Sequence, residues 1–202
     1  MTKSGEDATM TVDDTPERLA DRARIVDALA RYARGVDRRN WAFVRSAFHP
    51  GATVDQGDYK GSAEGLIESM AARHGAIEQS MHILTNTLIE FDSQDGAIVE
   101  TYYTAIQRNA HLPIEMRRAL LGANAPTEGK IDLRAVGRYV DRFERRDGAW
   151  RIARRVCIVE TIVGSPAPSA PTYSDKWVVQ SRDSDDALWA ARAAVGLSGP
   201  IG

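Results

Sequence analysis

After His74 the period of the apolar residues changes from about 3.6 toward 2, and this switch restricts the fold more than any other feature of the chain. Before it, Leu19, Ile25, Val26, Leu29, Tyr32, Ala33 and Val36 recur at helical spacing. Thr15, Pro16 and Glu17 open that run as an N-cap, a first-turn proline and an early acid. A second helix is expected over 41–48, stopped by His49-Pro50-Gly51, and a third, capped by Ser62, through about His74. Between them, 52–56 reads as a short strand and Gly57-Asp58 as a turn. After the switch, residues 81–91, 97–109, 131–146 and 150–163 alternate or run apolar, with turn signals over 93–96 and a tight hairpin at Asp147-Gly148. Three helices followed by four long, hairpin-connected strands predict an α+β domain in which a curved antiparallel sheet wraps around the helices.

Residues 1–14, polar and acidic, read as a disordered leader ahead of a domain over 15–164. Residues 110–130 interrupt the strands with a candidate helix over 113–121, and an insertion of that length is expected to act as a lid. Residues 165–202 read as a Pro-rich linker and a tail, with a possible helix over 183–195 that is too short to bury a core of its own. A net charge of -2 with interspersed signs gives no field for nucleic acid or an anionic membrane surface, and the paired arginines Arg38-Arg39, Arg117-Arg118 and Arg145-Arg146 read as solvated faces. No apolar run approaches a membrane span, so a cytoplasmic chain is expected. The one cysteine, Cys157, excludes an intramolecular disulfide and reads as a buried small hydrophobe. No two histidines have the spacing of a metal-ligand pair, and neither a phosphate loop nor a nucleophile elbow occurs, so neither metal nor cofactor is expected.

Asp37 falls on one helical face with Ala33, Ala30 and Val26, which points a carboxylate inward and demands a donor. His82, near the start of the first long strand, is the candidate, since an Asp–His pair suits proton transfer near neutral pH. Asn86 shares strand parity with His82, and His111 lies in the insertion where it could cap a pocket. Trp41, Tyr59 and Tyr103 are candidate walls of an apolar cavity.

The ordered set Gly35-Val36-Asp37-Arg38-Arg39, Tyr59-Lys60-Gly61, Met81-His82 with Thr85-Asn86, and Tyr139 through Trp150 resembles the SnoaL-like branch of the nuclear transport factor 2 superfamily, in particular its dehydrochlorinase and dehydratase members. The resemblance implies a cone-like α+β barrel with a deep pocket, and a cofactor-free lyase in which an Asp-supported His removes a proton as a leaving group departs. By position, Asp37 and His82 would be that pair, and Arg155 an active-site arginine that stabilises a developing oxyanion. Tyr32 stands where the dehydrochlorinases carry a lysine and one dehydratase a tyrosine, which favours an oxygen-bearing substrate. The expected partner is a hydrophobic, ring-containing small molecule, with isomerisation by the same proton abstraction, non-catalytic binding, or a structural role like that of a dioxygenase small subunit as alternatives. The fold's open sheet face and the tail favour a homodimer or homotrimer.

Overall fold

A computed structural model describes residues 15–168 and 173–198, so the leader over 1–14 and residues 169–172 of the linker lie outside the described residues. The first helix, α1 (Pro16–Asp37), begins as expected, with Thr15 Oγ1 accepting from the Arg18 N–H at 3.3 Å. A short α2 (Trp41–Ser46) and β1 (Phe48–Gln56) follow, then β2 (Tyr59–Ser62) and α3 (Ala63–Arg73), which Ser62 caps. A single 3-10 turn (His74–Ala76) leads into β3 (Ile77–Phe91) and β4 (Gly96–Asn109). The insertion carries α4 (Ile114–Leu121), after which β5 (Ile131–Arg146) and β6 (Ala149–Pro166) complete the sheet. The tail carries α5 (Ala187–Ala194), with Asp186 as its cap.

The six strands run in the order β2-β1-β6-β5-β4-β3 as a curved, open sheet. All neighbours are antiparallel except β1 and β6, which pair in parallel because the chain returns to β1 only after the β3–β6 meander. Asp147 and Gly148, at φ 50° and 76°, form the expected two-residue hairpin with both positions left-handed. β2 was not foreseen, because its pattern is too short to show a period; it pairs β1 at the sheet's edge.

The core lies on the concave face, where Ile25, Leu29, Tyr32 and Val36 of α1 meet Val99, Tyr139, Phe143 and Ile152 of the sheet. This corrects the helical face expected from Asp37: Val26 is 48% exposed and Ala30 is exposed too, so the buried stripe of α1 runs through Ile25, Ala28, Leu29 and Tyr32 instead. Asp37 is buried because the helix ends against β3. At the other end of α1, Asp21 is also buried and accepts from the Trp150 indole N–H at 2.8 Å.

Candidate active site

Asp37 and His82 are brought together by the end of α1 and the start of β3. The His82 backbone N–H donates to Asp37 Oδ2 at 2.7 Å, Ser80 Oγ donates to Oδ1 at 2.9 Å, and His82 Nδ1 lies 2.6 Å from Oδ1. Burial alone would raise the Asp37 carboxyl, but the His82 side chain and its charge, the His82 N–H and Ser80 outweigh it and hold the group below the usual carboxylate range. An ionised carboxylate only accepts, so Nδ1 must carry the proton of that bond, and whenever the ring is neutral it is Nε2 that keeps the lone pair. The side chains are 9% and 11% exposed, and a cavity of about 450 Å³ opens on them, walled by Ala30, Ala33 and Arg34 of α1, Leu84 of β3 and Leu188 of α5.

The strand register extends this wall inward as a trough. His82 lies opposite Ala105, which lies opposite Ala135 and then Ile162; in the next inward row Leu84, Tyr103, Gly137 and Val159 align. The two alanines are small beside the imidazole, while Val159 and Ile162 are 44% and 47% exposed on the same concave face. α4 reaches this face too: a Cβ on Gly164, in the row of Ser80, Gln107 and Leu133, would stand 3.0 Å from Leu120 Cβ. The insertion thus packs against β6 beside this face. Arg117, expected on a solvated face, is instead 3% exposed and organises the insertion by donating to the carbonyls of Leu112, Pro126, Glu128 and Gly129.

The other expected residues are distributed unevenly. Arg155 is fully buried, makes a two-point contact with Asp141 at 2.8 and 2.7 Å, and lies 4.3 Å and 3.9 Å from the ring centres of Tyr32 and Tyr139. Burial raises the Asp141 carboxyl, but a guanidinium that stays charged keeps this pair ionic. Neither Arg155 nor Tyr32 lines the cavity at His82; burial, opposed by Arg155, raises the Tyr32 hydroxyl. Tyr103 does lie in the row beside His82, stacked 4.5 Å from Tyr139, with its hydroxyl 3.4 Å from Cys157 Sγ. Burial, first of all, raises the Cys157 thiol, in keeping with its expected inertness.

Asn86 is exposed, because a bulge between Leu84 and Thr87 sets two residues of β3, Thr85 and Asn86, against one of β4, Tyr102, and breaks the parity it was expected to share with His82. Tyr59 sits on β2, at the edge of the sheet opposite β3, and its hydroxyl donates to the Ser62 carbonyl. His111 is exposed at the start of the insertion and lines neither this cavity nor the next. Trp41 lines a second cavity of about 760 Å³ between the α1–α2 turn and the tail, and packs edge-on to His74.

Sequence reading missed Ser80, Arg34, Leu188 and Arg182. Ser80 has the strand parity of His82, which was the available signal; the tail residues approach from more than 100 positions away and leave none. Arg38 and Arg39 are not simply solvated: Arg38 Nε is 3.0 Å from Asp186 and Arg39 Nε donates to the Arg182 carbonyl at 3.2 Å, so both hold the tail. No cluster of three or more metal-binding side chains occurs among the described residues. No described helix is long and apolar enough to cross a membrane.

The family model of the SnoaL-like domain matches residues 17–156. A hexachlorocyclohexane dehydrochlorinase is similar in structure, with a TM-score of 0.60 at 19% identity over 80% of this chain and 98% of its own. A candidate scytalone dehydratase of Novosphingobium aromaticivorans gives 0.58 at 16% identity over 80% and 97%, and a Kribbella flavida protein 0.57 at 20% over 72% and 94%. At these identities the likeness is one of fold. No curated protein matches the chain.

Proposed function

The chain belongs to the SnoaL-like domain family, and on that footing we propose that it is a cofactor-independent lyase of the dehydratase type acting on a hydrophobic, ring-containing molecule. The observation that carries this reading is the Asp37 carboxylate, held by three donors, with His82 bonded through Nδ1 and its ring at a cavity wall. His82 Nε2 takes a proton from a carbon acidified by a neighbouring carbonyl, the electron pair forms a C=C bond, and hydroxide leaves the adjacent carbon. The imidazolium, stabilised by Asp37, returns its proton to the hydroxide, so water is the second product. Arg34 lines the cavity at this point and has no carboxylate partner among the described residues, which suits it to polarise the carbonyl. Arg155 with Tyr32 takes a supporting role behind the cavity, where the two-point contact with Asp141 and the rings of Tyr32 and Tyr139 hold the core beneath the pair. The face of Ala105, Ala135, Val159 and Ile162 would take the ring.

The test is a panel of hydrophobic β-hydroxy ketones incubated in deuterated water. Loss of water with a His82→Ala rate at least about 10²-fold lower supports the reading. Deuterium exchange with the hydroxyl retained would replace the lyase by an isomerase, and ligand binding with turnover indifferent to His82→Ala and Asp37→Asn would make the protein a binder.

For assembly, we infer that the partner is a second copy of this chain, seated on the convex face of the sheet. Met81 and Ile106 are cross-strand partners there, 53% and 39% exposed, and Ile83 and Tyr102 extend the patch along both strands toward the β3–β4 hairpin. Sedimentation velocity should show an oligomer that Ile106→Lys converts to a monomer; a monomeric parent protein would end this inference.

A further inference from the structure

The two halves of the Asp37–His82 pair belong to different elements, and a side chain from far along the sequence spans them. Arg182, in the tail, is 4% exposed. Its Nε donates to the Asp37 carbonyl at 3.0 Å and its Nη2 to the Val36 carbonyl at 3.0 Å, which also accepts from the Arg39 N–H, both in the last turn of α1, where the i+4 donors run out. Its Nη1 donates to the carbonyls of Ile77, at 2.5 Å, and His74, at 3.3 Å, where β3 begins. The fifth N–H, on Nη2, meets His74 Nδ1 at 3.1 Å. All five donors of one planar guanidinium are therefore used, and they join the residue that carries the carboxylate to the start of the strand that carries the imidazole.

The surrounding tail is seated as firmly. Asp186 meets Arg38 at 3.0 Å, Gln180 Nε2 donates to the Glu78 carbonyl at 3.2 Å, and the Trp189 ring lies 5.9 Å from that of Phe43. Leu188 then forms part of the cavity wall at His82. Residue 182 lies well beyond residue 156, where the family match ends.

We propose that Arg182 is a positioning residue of the Asp37–His82 site, and that the tail is a working part of that site in this chain. A lysine could not replace it, since a single ammonium carries three donors and no fork. The proposal rests on the reading of Asp37 and His82 as the reacting pair for its meaning in turnover, but its test reads the hydrogen bond itself.

In the full-length protein the His82 Nδ1–H proton is followed by downfield proton NMR and assigned by its loss in His82→Gln. In Arg182→Ala the resonance should vanish, or its exchange with water should quicken by about ten-fold, the scale of one lost charge-assisted hydrogen bond. Millimolar guanidinium should restore it where equal sodium chloride does not, with circular dichroism native throughout. A folded Arg182→Ala protein with unchanged resonance and exchange overturns the proposal. So does a loss that guanidinium does not reverse and that takes the dispersion of the whole spectrum with it, because that is a general structural role. If Arg182→Ala does not fold, Arg182→Lys carries the test: quickened exchange supports the proposal and unchanged exchange overturns it. A protein that turns over no substrate yet shows this dependence would sink the lyase reading and leave the positioning intact.

Discussion

Three donors on one carboxylate make Asp37 the residue whose replacement has the sharpest local consequence. Its folded pKa is lowered, since the hydrogen bonds from His82 and Ser80 exceed the cost of burial. A depressed carboxyl stabilises the fold fully above its unfolded pKa, and that contribution is lost as pH falls through the folded value. Asp37→Asn should therefore unfold at lower urea concentration at neutral pH, by about 2 kcal/mol, because a neutral amide replaces the acceptor of charge-assisted bonds while burial remains. The difference from the parent protein should shrink at acidic pH; urea melts at several pH values measure it, and a constant gap would contradict the assignment of the charge. That an inward acid at 37 needs a donor was legible from the sequence, although the helical face used to place it inward is exposed at Val26 and Ala30 and it is the end of α1 against β3 that buries it. That Ser80 shares the task with His82 was not, because a serine in a strand has many partners open to it.

At the scale of elements, the period switch located the four long strands well, and the strong turn chemistry of Asp147-Gly148 set their pairing. What escaped was every feature decided by register. The bulge before Thr87 moved Asn86 out of step with His82, and a second shift between Val136 and Gly137 aligned Val159 with the inner face. Gly137 is where backbone and ring approach most closely: a Cβ there would stand 2.1 Å from the Ile158 carbonyl oxygen and 2.9 Å from the Tyr103 hydroxyl. Gly137→Ala should destabilise the protein by about 2 kcal/mol or more in urea melts, since the carbonyl it strikes belongs to the backbone and has little freedom to move. The insertion was legible as a short helix but not as a self-contained unit, because a single arginine among many gives no sign of four backbone acceptors. Arg117→Ala should speed amide exchange over 110–130 while β4 and β5 stay protected, as measured by hydrogen–deuterium exchange. Equal protection in both proteins would show that α4 is held by its contact with Gly164 alone.

For the whole molecule, the question is what keeps the tail on the cone, since residues 173–198 have too little apolar surface to hold themselves. Three arginines, Arg38, Arg39 and Arg182, converge at the tail seat, and burial, followed by repulsion from Arg39, lowers the Arg182 guanidinium to about 10. Such crowding is tolerable only while the neighbouring imidazole is neutral. His74 is 3% exposed, and burial, then the charges of Arg182 and Arg73 and the His82 ring, lower its pKa from 6.5 to about 3, with Asp37 alone opposing. The unfolded chain thus binds a proton that the folded one refuses between those values. Stability is present above pH 6.5 and is lost as pH falls toward 3, by at most about 1.4 kcal/mol for each pH unit. Acid should weaken the tail first, because protonation of His74 removes an acceptor from Arg182 and adds a fourth positive charge to the seat. Limited proteolysis should then cut residues 173–198 more readily at pH 5 than at pH 7.5. His74→Gln keeps an acceptor for Arg182 but cannot titrate, so it should flatten that dependence; a tail equally protected at both pH values in the parent protein would show that His74 does not govern its release.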